Sequence, residues 1–420
     1  MTPFTRAAVL AVGTELLTPS RLDTNSLAIT AQLNRYGIDV VFKAVVGDDR
    51  EGVARAVADA LGRAELLVCC GGLGPTDDDV TRDAVADALG LAQHTDAAIA
   101  ARVEARFTTR GLAMPAINLR QARVPDGAVV LENRVGTAPG LWIPRGERAV
   151  LLLPGPPREL DPMLEAAAAE HLAPQAGRWT VRRRVVRVTG RSESHTEEAV
   201  QPLYAEWASA ALPVRATILA SLGQIELHLS ARAADGAAAE EALAAAVAAV
   251  EARLGADVYS VDGRTMEEVV GEQLAARGWR VAVAESCTGG LITSRLTDVP
   301  GSSRYVDRSV VAYSNEAKTA LLGVLPALIA AEGAVSEGVA AAMAEGVRQR
   351  AGVELGIGVT GIAGPGGGSV SKPVGTVMVA AAIEGRTLVR ARRFPGERAL
   401  VKFQASQAAL DLARRLLADL

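Results

Sequence analysis

Residues 281–299 read VAVAESCTGGLITSRLTDV, in which an apolar run passes into a helical pattern. The run VAVAES predicts a buried strand, and CTGGLITSRLTDV predicts a helix that follows it directly. A strand that leads into a helix is the repeating unit of an α/β domain. Ser286 and Cys287 stand side by side at this junction, and both residue types can act as nucleophiles.

The alternation of strands and helices continues through residues 262–420, so this part of the chain is predicted to be an α/β domain. Strands are predicted in SVVAYS, LGIGVTG, KPVGTVMVAAAIEG and TLVRARRFPG. Helices are predicted in TMEEVVGEQLAARG, SEGVAAAMAEGVRQRAG and the final RALVKFQASQAALDLARRLLADL. Another helix is predicted to begin at about Asn315.

Residues 1–172 contain a separate series of strands and helices. Helical patterns lie between short β-rich runs, which predicts a parallel, doubly wound sheet from RAAVLAV, DVVFKAVV, ELLVCCGG and AVLLLPG. In such sheets ligands bind at the carboxyl ends of the strands. Three Gly/Pro turns follow three of these runs, so we expect one site to be formed by AVGTELL, CCGGLGPT and LLPGPP.

Residues 173–261 differ from both flanking parts, because an arginine-alternating strand and an Ala-rich helix predict a small α+β domain. The expected domains are therefore 1–172, 173–261 and 262–420. The arginine-alternating strand is interpreted as a solvated face rather than a nucleic-acid surface, since the formal net charge of the 420 residues is −4.

The composition indicates a cytoplasmic protein without a membrane span. No apolar run approaches 18 residues, and the first residues show no signal-peptide pattern. Cys69, Cys70 and Cys287 form no CxxC pair, which is typical of a reducing compartment. None of the four histidines follows His228, so a general base in the last third of the chain cannot be histidine. Arginine is also excluded as a base, because it stays protonated.

The loop GGLGPTDDDVT, residues 71–81, places three glycines and three carboxylates directly after a predicted buried strand. Glycine allows a backbone to approach a ligand closely and to offer N–H groups to phosphate. Asp77, Asp78 and Asp79 have two interpretations from sequence. They could supply oxygen ligands to Mg²⁺, or they could cap the next helix.

The first part of the chain resembles the N-terminal half of the CinA family through AVGTELL, DTNS, VGDD, GGLGPTDDDVT, GTAPG and LLPGPPREL. That half is similar to the molybdopterin-binding fold, although Leu73 and Asp78 replace a Thr and an Arg of the pterin-binding motif. The resemblance implies hydrolysis of a nucleotide pyrophosphate such as ADP-ribose, with a divalent metal such as Mg²⁺ held by Asp23, Asp78 and Asp79. It implies substrate binding by Gly13, Glu15, Asn25, Gly71, Gly72, Gly74, Thr81, Gly155 and Glu159.

The last part resembles the CinA C-terminal domain, the nicotinamide mononucleotide (NMN) deamidase family, through AESCTGG, PGSS, YSNEAK, GAVSEGVA and GVTGIAGPGGG. The resemblance includes a KH-like middle domain, which here lacks the GxxG loop of nucleic-acid-binding KH domains. It implies NMN and ADP-ribose-like nucleotides as partners, a homodimer, and no cofactor for the deamidase. The alternative is a competence or DNA-damage factor whose first domain only binds a nucleotide or molybdopterin.

Deamidation needs a nucleophile, a base and an oxyanion site. We predict Ser286 as the nucleophile, exposed at a helix start where backbone N–H groups favour negative charge, with Cys287 as a packing residue. The alternative is that Ser286 only caps the helix. Backbone and side-chain donors to the substrate are expected from Cys287, Thr288, Gly289, Gly290, Gly361, Gly364 and Gly366, and weaker phosphate contacts from Ser302, Ser303 and Arg304.

Lys318, in YSNEAK, is the predicted general base, because a Ser–Lys pair replaces a Ser–His–Asp triad where histidine is absent. Its alternative is a solvated helix lysine. Tyr313 is the second candidate for proton relay or ring stacking, or else an aromatic residue at a strand end. Thr360 is predicted to join the catalytic residues.

Overall fold

The chain folds into two compact units in a computed structural model that describes residues 4–175, 179–221 and 223–420. The first unit is Met1–Arg182 with Ala231–Ala242, and the second is Arg183–Ser230 with Leu243–Leu420. Within the described ranges, no helix is long and apolar enough to cross a bilayer.

The N-terminal α/β part is built on a twisted sheet with helices on both faces. Its strands are β1 Arg6–Val12, β2 Asp39–Val46, β3 Leu66–Cys70, β4 Gln93–Thr95, β5 Arg123–Pro125, β6 Val129–Leu131, β7 Gly140–Arg145 and β8 Arg148–Leu153. Its helices are α1 Asn25–Arg35, α2 Arg50–Arg63, α3 Thr81–Leu89, α4 Ala97–Thr108 and α5 Pro157–Ala167.

The main sheet of this part has the order β2-β1-β3-β8-β7-β6. The first four strands are parallel and correspond to the four predicted runs, which confirms the α/β fold class. Strands β7 and β6 extend the sheet in antiparallel fashion and were not predicted. Alternate residues of β1 face two separate cores, one formed with α2, α3 and α4 and the other with α1 and α5. Both faces of the sheet are therefore covered, as in doubly wound folds.

The middle part is an α+β arrangement, as predicted. Its sheet has the order β10-β11-β9-β12. In β11 every second residue is buried, so one face packs on a core and the other does not. The elements are β9 Thr180–Thr189, α6 Glu193–Ser209, β10 Val214–Ser221, β11 Gln224–Ala233, α7 Gly236–Leu254 and β12 Val258–Ser260.

The C-terminal α/β part contains a sheet of order β14-β13-β15-β16-β17, in which β13, β14 and β15 are parallel. Its strands are β13 Val281–Glu285, β14 Val306–Val311, β15 Leu355–Gly361, β16 Thr376–Ile383 and β17 Arg386–Arg393. Its helices are α8 Met266–Arg277, α9 Leu291–Asp298, α10 Asn315–Leu322, α11 Pro326–Glu332, α12 Glu337–Ala351 and α13 Arg398–Ala418.

Two glycines let helix α12 lie close against β15. A Cβ atom on Gly356 would stand 2.1 Å from the carbonyl oxygen of Ala344, and one on Gly358 would stand 2.5 Å from that of Ala340. Larger residues would push the helix off the sheet. The opposite face of the sheet packs against α8, α9 and α13. Strands β13 and β15 are thus packed on both faces, which fixes the positions of the residues that follow them.

Candidate active site

The carboxyl ends of β13, β14 and β15 meet at one edge of the C-terminal sheet. Glu285, the last residue of β13, pairs with Val311 of β14 and with Val359 of β15. Ser286 and Thr360 each follow one of these positions directly. Parallel α/β sheets bind ligands at this edge. The structure therefore brings the predicted serine to the end of the sheet where chemistry is expected.

Ser286 lies beside Lys318, which α10 contributes from 32 residues further along the chain. The Nζ atom of Lys318 lies 3.1 Å from Oγ of Ser286 and donates to the carbonyl oxygens of Ala312 (3.0 Å) and Tyr313 (3.2 Å). The lysine is only 2% exposed, so it is not the solvated helix lysine of the alternative interpretation. Ser286 is also buried, whereas we expected its hydroxyl to be exposed.

Three uncharged groups surround the amine of Lys318, and a neutral amine can satisfy all three. A neutral amine has two N–H groups and one lone pair, and two carbonyl oxygens and one hydroxyl surround it. The N–H groups can donate to the carbonyls, which leaves the lone pair for the Ser286 hydroxyl. Burial lowers the pKa of Lys318 below the ordinary value of 10.5. The arrangement therefore favours a lysine that can accept a proton from serine.

Glu285 shapes the turn that carries Ser286, and sequence reasoning missed it. Its fully buried carboxylate accepts from the backbone N–H groups of Gly290 (2.9 Å), Ile292 (3.2 Å) and Thr293 (3.0 Å). Helix α9 begins at Leu291, so CTGG forms a turn and not the first helical residues. Because Glu285 caps the helix, the alternative interpretation of Ser286 as only a helix cap is wrong. The N-terminal N–H groups of α9 are also occupied and cannot form the predicted oxyanion site.

Two other backbone N–H groups of the turn are available instead. The N–H of Ser286 donates to Val359 and that of Gly289 donates to the carbonyl of Ser286. Within the described residues, the N–H groups of Cys287 and Thr288 donate to no backbone carbonyl, and that of Cys287 lies against its own sulfur, which is a weak acceptor. In serine hydrolases the N–H that follows the nucleophile commonly contributes to the oxyanion hole. These two groups therefore replace the helix N-terminus as the candidate oxyanion donors.

Cys287 faces the core and not the reacting edge. It belongs to the apolar cluster formed with α8, α9 and α13. Burial raises the pKa of its thiol to about 11, so the reactive thiolate is scarce near neutral pH. A Cβ atom on Gly361 would stand 3.0 Å from the Cys287 sulfur, so Gly361 makes room for this side chain. The packing role predicted for Cys287 agrees with this position.

Tyr313 is 60% exposed and does not contact Ser286 through its hydroxyl. That hydroxyl accepts from Arg398 of α13 (2.9 Å), and Arg398 also donates to the carbonyl of Gly364 (2.8 Å). One helical turn later, Nζ of Lys402 lies 3.6 Å from where a Cβ atom on Gly289 would stand. Two cations of α13 thus border the serine turn, and neither was predicted from sequence.

The hydroxyl of Thr360 is turned away from Ser286. It donates to the carbonyl of Ala334 (2.8 Å), which fixes the segment before α12. Through its side chain Thr360 therefore holds a neighbouring loop, and the backbone N–H contact predicted for it stays a prediction. Gly364 and Gly366 lie in the loop that follows β15. Gly364 is buried, whereas Gly366 is exposed and no atom lies within 4 Å of a Cβ placed on it. This loop leaves space for a ligand.

Ser302, Ser303 and Arg304 are placed at the wrong end of the sheet for the predicted phosphate contact. They precede β14, and the neighbouring Tyr305 carbonyl accepts from Val281, the first residue of β13. Parallel strands have their amino ends at the edge opposite the carboxyl ends. Within one chain these three residues therefore cannot join the Ser286 site.

The N-terminal part contains a cavity of about 670 Å³ where its Gly/Pro turns converge, as predicted. It is also lined by residues that were not predicted, among them Arg21, Asp48 and Gln121. Thr81 is not in the lining, because its side chain is buried beneath Gly72. The predicted residues that line the cavity are Gly13, Glu15, Asp23, Asn25, Gly71, Gly72, Gly74, Asp78, Asp79, Gly155 and Glu159.

The predicted metal ligands do not form a ready-made cluster. In the described ranges no group of three or more His, Cys, Asp or Glu side chains is placed to hold a metal ion. Asp79 accepts from the N–H groups of Gly74 (2.7 Å) and Thr76 (2.9 Å), so it shapes the loop. Asp23 accepts from the N–H of Ser26 (3.0 Å). Asp78 stays at the cavity, and a hydrogen bond from Thr76 holds its pKa below the ordinary value.

Together these features define an α/β protein with a KH-like middle part, a serine–lysine pair in one α/β part and a Gly-rich acidic cavity in the other. The chain belongs to the CinA family. Family models match as "CinA C-terminal domain" over residues 263–417, "Damage-inducible protein CinA KH domain" over 183–260 and "Probable molybdopterin binding domain" over 8–174.

Full-length relatives agree with this assignment. A CinA-like protein of Acidobacterium capsulatum is 45% identical over 98% of this chain and 99% of its own, and one of Koribacter versatilis is 44% identical over the same shares. Among solved structures, the CinA protein of Thermoplasma acidophilum, described as of unknown function, is 34% identical, with a TM-score of 0.38. It covers 40% of this chain and 97% of its own.

Proposed function

We propose that the C-terminal part hydrolyses the carboxamide of NMN to nicotinate mononucleotide and ammonia. The observation that carries this proposal is the buried pair of Ser286 and Lys318, 3.1 Å apart, in which the lysine has only neutral partners. A nucleophilic hydroxyl beside a base of lowered pKa is the minimum requirement for acyl transfer. The resemblance to the NMN deamidase family supports the choice of substrate.

In the first half of the reaction, Oγ of Ser286 attacks the carboxamide carbon while its proton passes to Nζ of Lys318. The negative charge that develops on the carbonyl oxygen is stabilised by the N–H groups of Cys287 and Thr288. The C–N bond then breaks, and Lys318 returns the proton to the leaving nitrogen, so that ammonia departs. The product of this half is a nicotinate ester of Ser286, with Lys318 neutral again.

In the second half, water replaces the leaving ammonia. Lys318 accepts a proton from water as the water oxygen attacks the ester carbon, and the same N–H groups stabilise the second oxyanion. The bond to Oγ of Ser286 breaks, and the serine recovers its proton from Lys318. Nicotinate mononucleotide is released, and both residues return to their initial states.

The substrate phosphate is assigned to Arg398 and Lys402. They stand one turn apart on α13, beside the serine turn, and both are cations that phosphate prefers. Arg398 is fixed by Tyr313 and by the loop carbonyl of Gly364, so it is held ready for a ligand. With the phosphate bound by these two residues, the nicotinamide ring would extend toward Ser286.

Ammonia release from the purified full chain supplied with NMN tests this proposal. We expect stoichiometric ammonia and nicotinate mononucleotide from NMN, and much slower release from nicotinamide, which lacks the ribose phosphate. NAD serves as a second control. A Ser294→Ala variant, which alters an exposed serine of α9, should match the parent. Absence of ammonia from folded protein supplied with NMN would refute the activity.

For the N-terminal part, the acidic cavity supports hydrolysis of a nucleotide pyrophosphate with a divalent metal. Its lining includes one basic residue, Arg21, and six carboxylates, Glu15, Asp23, Asp48, Asp78, Asp79 and Glu159. An anionic pyrophosphate would be repelled by this lining unless a cation came between them. Mg²⁺ commonly uses one or two carboxylates together with substrate phosphates, so a cluster of three is not required. Asp78 would hold the metal together with the substrate phosphates, and the metal would neutralise phosphate charge.

Asp78→Asn tests this second activity against Asp77→Asn. Asp77 pairs with Arg120 and does not line the cavity, so it is a matched control from the same loop. We expect Asp78→Asn to lose Mg²⁺-dependent hydrolysis of ADP-ribose and to keep NMN deamidation, and Asp77→Asn to keep both. Equal pyrophosphatase activity in both variants would show that Asp78 holds no metal.

A further inference from the structure

A second cavity, of about 550 Å³, lies within the second unit along strand β17 and helix α13. Its lining contains none of Ser286, Lys318, Arg398 and Lys402, so it is distinct from the site proposed for deamidation. Cavities of this size accommodate ligands as large as a mononucleotide. The chemistry of its walls indicates which kind of ligand would occupy it.

Five arginines line this cavity, and three of them are neutralised by aspartates of the same lining. Arg191 and Arg415 both pair with Asp257, and Arg415 also pairs with Asp411. Arg386, at the start of β17, pairs with Asp419 at the end of α13. These ion pairs close one side of the cavity and leave little positive charge there.

The other two arginines, Arg390 and Arg392, have no carboxylate partner among residues 4–175, 179–221 and 223–420. Each donates only to the carbonyl oxygen of the preceding residue. Side chains two residues apart on a strand point to the same side, so both guanidinium groups border the cavity. Adjacent like charges without counter-charges attract an anion.

The remaining wall is apolar. Leu388 and Phe394 of the β17 segment and Leu412 of α13 contribute to it. Free phosphate would engage only the arginines and leave this wall in contact with water. A ligand with both a phosphate and a flat apolar ring would use both features, because guanidinium binds phosphate in bidentate fashion and aromatic rings stack on side chains such as Phe394.

We propose that this cavity is a second nucleotide site, at which Arg390 and Arg392 bind the phosphate of a nucleoside monophosphate and the apolar wall receives its base. Binding here would place a nucleotide against β17 and α13, the helix that also carries Arg398 and Lys402. The proposal does not depend on the deamidation chemistry, since no residue is shared between the two linings.

Arginine footprinting on the full chain tests the proposal directly. Phenylglyoxal modifies free guanidinium groups, and mass spectrometry of the digested protein locates each modified arginine. At ten times its dissociation constant, AMP should reduce the modification rates of Arg390 and Arg392 about tenfold. Arg393, the exposed neighbour on the opposite face of β17, should be modified at an unchanged rate and is the internal control.

Adenosine, inorganic phosphate and a short single-stranded DNA complete the experiment. We expect adenosine to protect neither arginine, and phosphate to protect them only at much higher concentration than AMP. Equal protection by phosphate and AMP, or no protection by AMP, would overturn the proposal. Protection of all three arginines by the DNA at lower concentration than AMP would assign the surface to nucleic acid and would also overturn it.

Calorimetry with variants of the full chain measures AMP binding independently of the footprinting. Because the other proposed sites also accept nucleotides, the informative quantity is the number of AMP molecules bound per chain. The double variant Arg390→Gln/Arg392→Gln should bind one fewer than the parent, and Arg393→Gln should bind the same number. Equal stoichiometry in the parent and the double variant would contradict the proposed site.

Discussion

The Lys318→Arg substitution distinguishes two roles of Lys318: acceptance of a proton from Ser286, and supply of positive charge only. Arginine keeps the charge and can still donate to the carbonyls of Ala312 and Tyr313, which Lys318 now contacts at 3.0 and 3.2 Å. It has no lone pair to receive the proton of Ser286, because the guanidinium group stays protonated. The substitution therefore removes the basic function and retains most of the electrostatic one.

The expected loss follows from the geometry. General-base catalysis by a positioned side chain contributes about 10²–10⁴-fold, and the 3.1 Å contact is the path for that proton. We therefore expect kcat for NMN to fall at least about 100-fold in Lys318→Arg. In the parent, kcat/KM should fall about tenfold per pH unit below the pKa of Lys318, because only the neutral amine is active. Burial lowers this pKa from 10.5, so the decline begins at a lower pH than for a solvated lysine.

The assay is ammonia release from NMN over a pH series, with Lys43→Arg as the matched control. Lys43 lies on β2 of the N-terminal part and donates to the carbonyl of Ser26, so its replacement should leave turnover and pH profile unchanged. Urea unfolding should show that both variants are folded. Turnover of Lys318→Arg within a few-fold of the parent would refute the role of Lys318 as base.

Three further outcomes are expected. Glu285→Gln should lower the free energy of unfolding by about 2–3 kcal/mol and reduce kcat, because an amide replaces a buried carboxylate that accepts from three backbone N–H groups. The control Glu337→Gln, in the exposed first turn of α12, should change neither quantity. A parent-like kcat in Glu285→Gln would contradict the positioning role of Glu285. Lys402→Gln should raise KM for NMN about tenfold or more and leave KM for nicotinamide riboside unchanged, since only NMN carries the phosphate. An equal effect on both substrates would show that Lys402 does not bind the phosphate. Addition of EDTA should abolish ADP-ribose hydrolysis and spare ammonia release from NMN, and loss of both activities would show that the deamidase also needs a metal.

Most of the sheet framework could be predicted from the sequence, because the parallel strands are buried on both faces and appear as short apolar runs. The runs that became β1, β3, β8, β13 and β15 are all of this kind. Strands β6 and β7 lie at the antiparallel end of their sheet. β6 has only three residues, and the four buried residues of β7 are followed by Pro144, a residue type that is disfavoured within strands.

The start of helix α9 was misplaced because its cap is not a local side chain at the helix boundary. Glu285 belongs to the preceding strand, yet its carboxylate reaches Thr293, eight residues further along. Sequence rules for capping consider residues within about three positions of the helix start, where the carboxylate of Glu285 would not be counted. The same cap explains why the oxyanion donors lie in the turn.

Site residues were predicted well where a motif stands next to a strand end, and poorly where a distant segment supplies the side chain. Lys318 was found because histidine is absent from the last third of the chain, although its contact with Ser286 spans 32 residues. Arg398 and Lys402 lie on α13, and sequence alone gives no sign that this helix passes the serine turn. Ser302 and its neighbours could not be assigned to an edge before the strand directions were known.

A comparison of Ser286→Ala with Cys287→Ala in the full chain tests whether Ser286 is the nucleophile of an NMN deamidase. We measure the initial rate of ammonia release from NMN at saturating substrate. We expect Ser286→Ala to lose about three orders of magnitude or more in kcat, as for removal of a serine nucleophile, and Cys287→Ala to keep most of its turnover. Parent-like turnover in Ser286→Ala, or a comparable loss in a folded Cys287→Ala with Ser286 intact, would contradict it.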